Sequence, residues 1–422
     1  MSTNLTLNQP YSSCVYQRNS DGYATIPVAG TVAPGIENVL ATFTRLQVGA
    51  VQNLAYAVPI VQTLPVDVNG NFGGGCVVPG GWYSLSVSAG DTTVSMSKVG
   101  AGEVFVLFGH SFIQGGHDKS HQLPATDERV ITLLDSLDQR NYQFGPLVSK
   151  VGPFHGDPDS WGQLGDLLVK RLGVPVLFYG CGYGGSNLQM NLDVINGVTN
   201  RTKLPPGTTD PSSRQPFAPL EDVLTNYVPK TGVRAILVEH GYNDRGTDRA
   251  TYTDMLKRFF DYVRSHWQKP DLSVILVQEQ LTPVQGSLYD IPTAQGIADF
   301  INTYPNAYKG PDMNTPEWFG IFAQHDHLFG PALDLFATQW ADSITAGSFL
   351  TKSYPYGPTQ LPDVFPAVLY KAPATDIKPV DWVILALAGL CLVGLFIYKS
   401  KKLMWGFLLL GLLAVGRLTG KV

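Results

Sequence analysis

Hydrophobic and polar positions divide the chain into stretches of different character. Up to about Ser20 the residues are polar and without period, and read as an N-terminal arm. From Tyr23 to about Val99, short apolar stretches at residues 24–28, 42–48, 55–61 and 82–87 alternate with turn residues, most clearly Asn69-Gly70-Asn71 and Pro79-Gly80-Gly81. Short strands punctuated by Gly and Pro predict a small antiparallel sandwich of immunoglobulin-like type, with a β-extension of the following domain as the alternative. The pattern changes at Glu103. Residues 104–108 (VFVLF) are continuously apolar, as in a parallel strand buried on both faces. Helical spacing over 161–172 (closed by Gly173), 220–227, 252–267 and 332–344 then alternates with stretches that read as strands at 174–179, 233–239 and 273–278. That alternation predicts an α/β domain of three layers, with a central parallel sheet and helices on both faces.

Residues 353–379 are rich in Pro and Tyr, lack periodicity and read as an extended linker. Residues 383–398 (VILALAGLCLVGLFIY) carry no charge, and Lys399, Lys401 and Lys402 follow. A second apolar run, 403–415, ends before Arg417. Each run is short of the roughly 20 residues of a full span. Trp382, Tyr398 and Trp405 stand where interfacial aromatics would, and neither run has a polar face. A membrane anchor is expected here in preference to a buried helical hairpin. The expected order is an arm over 1–22, a β-sandwich over 23–101, the α/β domain over 102–350, a linker over 351–380 and a C-terminal transmembrane anchor over 381–422.

Composition narrows the function. Apolar residues make up 44% and charged residues 15%, and the net charge of −5 supplies no basic field for nucleic acid. A weakly charged substrate such as a glycan fits that balance. The 4 cysteines, Cys14, Cys76, Cys181 and Cys391, form no CxxC or Cys/His cluster with metal-ligand spacing, and a Cys14–Cys76 disulfide stays open. The start, MSTNLTLNQPYSS, has neither the basic nor the apolar segment of a secretory signal.

Four short segments carry chemistry. The run 104–108 ends in Gly109-His110-Ser111-Phe112, placing a serine just past the C-terminal end of a buried strand, where open α/β sheets bind ligands. After the run 174–179 comes Gly180-Cys181-Gly182-Tyr183-Gly184-Gly185-Ser186-Asn187, whose glycines let backbone N–H groups face a bound oxygen. After 233–239 comes His240-Gly241-Tyr242-Asn243-Asp244, where an Asn amide can donate to an oxyanion. Last, Gln324-His325-Asp326-His327-Leu328-Phe329-Gly330 precedes the final helix and offers a histidine as general base. Taken singly, each is equally an ordinary capping, Gly-rich or Asn-Asp turn.

In this order the four segments resemble the SGNH (GDSL-like) hydrolases, over Glu103 to Ser348. GEVFVLFGHSF, WGQLGDLLVKRLGVPVLFYGCGYGGSNL and GVRAILVEHGYND are similar to its sialate O-acetylesterase-like and acetylxylan-esterase-like branch. The resemblance implies Ser111 as nucleophile, the Ser111 N–H, Gly184 and Asn243 as oxyanion donors, and His327 as base, with no metal or organic cofactor. Three positions depart from the family. Gln324 stands where the acid of the triad is expected. His110 replaces the usual Asp or Gln before the nucleophile, and Tyr242-Asn243-Asp244 replaces the branch's acid-Ser-Asp. Asp326 is the nearby acid and His325 the alternative base.

The implied function is a membrane-anchored carboxylic ester hydrolase that removes O-acetyl groups from glycans. A catalytically impaired glycan-binding or structural surface protein on the same fold is the alternative. Expected partners are an acetylated glycan and, through the C-terminus, a lipid bilayer, with homo-oligomer or capsid contacts compatible and nucleic acid excluded. The surface of a membrane-containing virion would reconcile a C-terminal anchor with the absence of a secretory signal.

Overall fold

The computed structural model describes residues 4–46, 58–154, 157–278, 291–318 and 327–360. The first strands are β1 (Thr6–Gln9), β2 (Val15–Gln17), β3 (Tyr23–Thr31), β4 (Asn38–Arg45), β5 (Ile60–Pro65), β6 (Asn71–Pro79), β7 (Gly81–Ala89) and β8 (Thr92–Gly109). β1, β3 and β6 form an antiparallel sheet in that order, and β5, β4, β7 and the first half of β8 form another. Alternate residues point inward along these strands. Ile26, Val28, Val39, Ala41, Phe43, Cys76, Val78, Leu85 and Val87 share one buried cluster. Cys14 and Cys76 lie in it as free thiols, so the disulfide left open by the sequence is not formed. Burial pushes the Cys76 thiol up to about 12.

The N-terminal segment is more ordered than its polar sequence suggests. β1 pairs with β3, and β2 runs parallel to β8 at Gly100–Gly102, with Cys14, Val15 and Tyr16 fully buried. Hydrogen bonds to a neighbouring backbone and three consecutive buried residues replace the period that a longer strand would show.

Past β8 come α1 (Ser111–Gln114), β9 (Val130–Leu133), β10 (Phe144–Pro146), α2 (Asp159–Leu172), β11 (Val176–Gly182) and α3 (Leu188–Ile195). Then follow α4 (Ala218–Asp222), α5 (Val228–Thr231), β12 (Ala235–Glu239), α6 (Arg249–His266), β13 (Ser273–Gln278), α7 (Pro292–Thr303), β14 (Ala307–Asp312), α8 (Pro331–Thr345) and α9 (Phe349–Lys352). The expected helix over 220–227 is split, because a π-helical turn, Val223–Tyr227, separates α4 from α5.

The strand order is β10-β9-β11-β8-β12-β13-β14, parallel from β9 to β14 with β10 antiparallel at the edge. Its two faces are sorted by alternation. Val104, Val106 and Phe108 of β8, with Leu177 and Tyr179 of β11 and Ile236 and Val238 of β12, face the layer of α3, α4, α6 and α7. Phe105, Leu107, Val176, Phe178, Ala235 and Leu237 face α2 and α8, where Trp161, Phe336 and Trp340 pack. The expected three-layer α/β architecture is therefore present.

The two halves are joined by β8 itself. It is one strand of 18 residues, antiparallel to β7 in its first half and parallel to β11 and β12 in its second. The boundary expected at 101/102 falls inside it. Gly102 lies there because a Cβ would sit 1.9 Å from the Pro175 carbonyl oxygen. Next to it Glu103, with no exposed surface, accepts from Arg18 Nε at 2.6 Å, Arg234 Nε at 2.7 Å, Arg234 Nη2 at 2.9 Å and Gln17 Nε2 at 2.9 Å. Burial alone would raise this carboxyl, but Arg234 and then Arg18 override it and hold it below the ordinary value.

Residues 353–360, expected as linker, pack on the α/β half. Tyr356 bridges Val233, and its hydroxyl accepts from the Asp271 N–H at 2.9 Å. Among the described residues no helix is long and apolar enough to cross a membrane, and the expected anchor over 381–422 lies outside them.

Candidate active site

The chain leaves β8 for one side of the sheet, building β9 and β11, and crosses to the other side for β12, β13 and β14. The C-terminal end of β8 is thus the point where the strand order reverses, the position at which open α/β sheets bind ligands. Gly109 ends the strand. A Cβ at this position would lie 2.2 Å from the Glu239 carbonyl oxygen of β12, so only glycine lets the two strand ends close up. The His110 N–H then donates to that same carbonyl at 3.3 Å, and the chain turns into the single helical turn α1, which starts with Ser111.

The Ser111 Oγ lies 2.9 Å from Nε2 of His327, a residue 216 positions away. His327 is held by its neighbourhood. Gly330 donates its N–H to Asp118 Oδ2 at 2.9 Å, and α8 starts at the next residue. Asp118 also accepts from the Ser120 hydroxyl at 2.6 Å and the Ser120 N–H at 2.9 Å, and these bonds, the hydroxyl's foremost, lower its carboxyl from the ordinary value. His121 Nε2 lies 2.9 Å from Asp334 Oδ1 of α8. The loop after α1 is therefore tied to the segment that carries His327.

That loop also brings in His117, which sequence reasoning missed. Its ring stacks on His327 with centroids 3.6 Å apart and planes 19° apart. Partial burial is the first cause that lowers the His117 imidazole, and Lys119 and His110 add to it against a hydrogen bond to the Ser111 backbone. A ring kept neutral can lie flat on a second imidazole without charge repulsion. Behind the loop, Asp159 accepts the Gly116 N–H at 2.8 Å. Its carboxyl is raised to about 6, first by burial, with Asp157 and Asp118 adding to it.

Gly184 is close to the serine, since a Cβ built on it would lie 3.9 Å from Ser111 Cβ. Its N–H donates to the side-chain carbonyl of Gln114 at 2.7 Å. Asn243, in the turn Tyr242–Asp244 beyond β12, donates one amide hydrogen to the Ser186 carbonyl at 2.8 Å. Both expected oxyanion donors thus stand at the same sheet edge as Ser111, each with an acceptor inside the protein. Gln114 gave no signal in the sequence, because its role depends on a loop 70 positions away.

On the inner side of Ser111, His110 is fully buried, with Nδ1 3.5 Å from Ser111 Oγ and Nε2 3.7 Å from Glu239 Oε1. His240 is 2% exposed beside it, and burial, then His110, holds its imidazole well below the ordinary value. Around the mouth, Phe154 stacks on Tyr183 (centroids 4.7 Å, 12°), and Tyr242 carries Arg245 over its ring at 4.3 Å. Gln324, His325 and Asp326 lie outside the described residues. No group of metal-ligating side chains occurs among the described residues.

No known protein-family description matches the chain, and no curated protein does. Solved structures do. A carbohydrate acetylesterase from Xanthomonas citri is 15% identical, covers 81% of this chain and 75% of its own, and has a TM-score of 0.46. A lipase/acylhydrolase from Enterococcus faecalis is 14% identical over 58% of this chain and 96% of its own, at a TM-score of 0.32. A family two carbohydrate esterase from Clostridium thermocellum, in complex with cellohexaose, is 12% identical over 76% and 92%, at 0.34. At these identities and scores the likenesses assign no residue and no reaction to this chain.

Proposed function

We propose that this protein is a serine esterase that removes O-acetyl groups from glycans. The observation that carries the proposal is the 2.9 Å contact between Ser111 Oγ and His327 Nε2 at the C-terminal end of the central strand. This is the distance at which an imidazole takes the proton of an attacking hydroxyl. Ser111 Oγ bonds to the acetyl carbon while its proton passes to His327. The tetrahedral oxyanion is met by the Ser111 N–H, the second amide hydrogen of Asn243 and the Gly184 N–H once Gln114 withdraws. His327 returns the proton to the departing sugar oxygen, and water hydrolyses the acetyl-serine by the reverse route.

A glycan is favoured over a long acyl chain by the aromatic rings of Phe154, Tyr183 and Tyr242, none of them fully buried, on the loops of the site. We place the protein at a membrane through residues 381–422, on the strength of the uncharged run 383–398. Flotation of the full chain with phosphatidylcholine vesicles tests that placement, and recovery in the lipid-free fraction would count against it.

A second reading, a glycan-binding protein without turnover, is favoured by one observation: Gly184 and Asn243 already donate to Gln114 and Ser186. Hydrolysis of an aryl acetate by the full chain, beside Ser111→Ala and His327→Ala, separates the two. Turnover lost by about 10⁴-fold or more in Ser111→Ala supports the esterase. Folded wild type no faster than Ser111→Ala leaves binding without chemistry.

A further inference from the structure

Ser111 has an imidazole on each side. His327, itself partly exposed, reaches it from one side and the fully buried His110 from the other. Behind His110 stands Glu239, and neither residue has any exposed surface. The register of the sheet enforces this neighbourhood. Glu239 is the β12 partner of Gly109, the residue before His110. The rest of the His110 ring is enclosed by Phe112 at 5.0 Å, His240 at 5.9 Å and Tyr242 at 6.4 Å, centroid to centroid. A carboxylate and an imidazole this deep call for polar partners, and these two face each other. They do so in line with the hydroxyl that the proposed function uses as nucleophile.

We propose that His110 and Glu239 form a second imidazole–carboxylate pair serving Ser111 from the protein interior, with Glu239 directed at the Nε2–H of His110 and Nδ1 left to accept from the Ser111 hydroxyl. The carboxylate fixes the tautomer, as a partner on the far ring nitrogen does. The separations of 3.5 and 3.7 Å are long for hydrogen bonds, as catalytic contacts often are before substrate is bound. In the step itself, the Oγ–H bond breaks as the Oγ–C bond forms, and the proton moves to Nδ1 of His110. The imidazolium so formed has the Glu239 carboxylate at its other nitrogen. When the C–O bond of the ester breaks, the same proton goes to the departing oxygen. His327 remains the main acceptor, and His110 is the catalytic residue that shares the load. Glu239 acts through His110 and is a positioning residue.

The inference rests on the esterase reading, so the test has two readouts. One is hydrolysis of p-nitrophenyl acetate, whose leaving group needs no proton and so reports the base alone. The other is labelling of Ser111 by a fluorophosphonate, followed by intact mass. The full chain is compared as wild type, Ser111→Ala, His327→Ala, Glu239→Gln, and His327→Ala combined with Glu239→Gln. His327→Ala is expected to keep both activities about tenfold or more above Ser111→Ala. Adding Glu239→Gln removes that remainder. Glu239→Gln alone lowers kcat several-fold with KM unchanged. If Glu239→Gln does not unfold cooperatively, His110→Gln takes its place in the His327→Ala background. The proposal is overturned if His327→Ala equals Ser111→Ala while wild type is active, or if the remainder is indifferent to Glu239→Gln and His110→Gln. If wild type itself matches Ser111→Ala in both readouts, the esterase reading falls, and the pair has no nucleophile to serve.

Discussion

Gln114 offers the sharpest perturbation of the site. The Gly184 N–H has one hydrogen, and in the resting protein that hydrogen goes to the Gln114 carbonyl at 2.7 Å. A substrate oxyanion can use it only after the amide has left. A neutral hydrogen bond of this kind contributes about 0.5–1.5 kcal/mol net. Tenfold in rate corresponds to about 1.4 kcal/mol, so its removal should raise kcat/KM roughly 2- to 10-fold. Gln114→Ala is expected to do so on an aryl acetate. Gln114 is only partly buried, so water fills the space it vacates. Gln114→Glu has the opposite sign. A charged acceptor holds an N–H by about 1.5–3 kcal/mol and repels the developing oxyanion, so kcat/KM should fall about fivefold or more. The assay is steady-state hydrolysis, with thermal unfolding to show that all three proteins are folded. The order Ala, Gln, Glu from fast to slow is the prediction. If Gln114→Ala is slower than wild type, the side chain supports the glycine loop rather than competing with the substrate, and the reasoning fails.

Two further predictions concern stability. Glu103→Gln removes the charge that faces Arg18 and Arg234 and should cost about 3 kcal/mol at neutral pH. Because the folded-state Glu103 carboxyl is held below its ordinary value, its contribution is present above the unfolded value and lost as pH falls through the folded one. The gap between the two proteins in urea unfolding should therefore narrow as pH falls below about 4, and a gap independent of pH would refute this account. Asp159 has the reverse sign: with a folded value of about 6, the stability it supplies is full below about pH 4 and lost as pH rises through 6. Asp159→Asn, which keeps an acceptor for the Gly116 N–H, should match wild type at pH 4 and exceed it at pH 8 by up to about 3 kcal/mol. Equal stability of the two proteins at pH 8 would argue against a burial cost at this carboxyl.

What was legible in the sequence is what a local pattern encodes. The run at 104–108 is apolar at every position, and that at 273–278 at its four inner ones, because both faces of those strands are covered, and both lie within or coincide with observed strands. Ser111 and His327 were legible as chemistry because each follows or precedes a regular element whose end the sequence marks. β6 was not legible: its NFGGGCVVP has three glycines and no alternation, although Phe72, Cys76 and Val78 are all buried. α7, PTAQGIADFINT, has one charge in 12 residues and gave no capping signal. His117, Gln114 and Glu239 were missed for a different reason. Each owes its place to a partner from another loop or strand, and no spacing along the chain records such a meeting. The boundary placed at 101/102 follows a change in composition, whereas the hydrogen bonds of β8 run straight through that change.

The continuity of β8 sets a parity rule on the protein's history and on its redesign. The strand spans about 60 Å from its 18 residues. Its pairing with β7 is interrupted once, where Met96 to Val99 takes three steps against two from Leu85 to Tyr83, and beyond that irregularity successive side chains alternate between the two cores of the α/β half. A single inserted or deleted residue between Glu103 and Gly109 would exchange the sides of everything on one flank. Phe105 and Leu107 would turn toward α6 in place of α2 and α8, and Ser111 would leave the end of the strand one step out of register with His327. Insertions and deletions between Glu103 and Gly109 must therefore come in pairs, whereas the sandwich half of the strand has an irregularity at which an odd residue is absorbed.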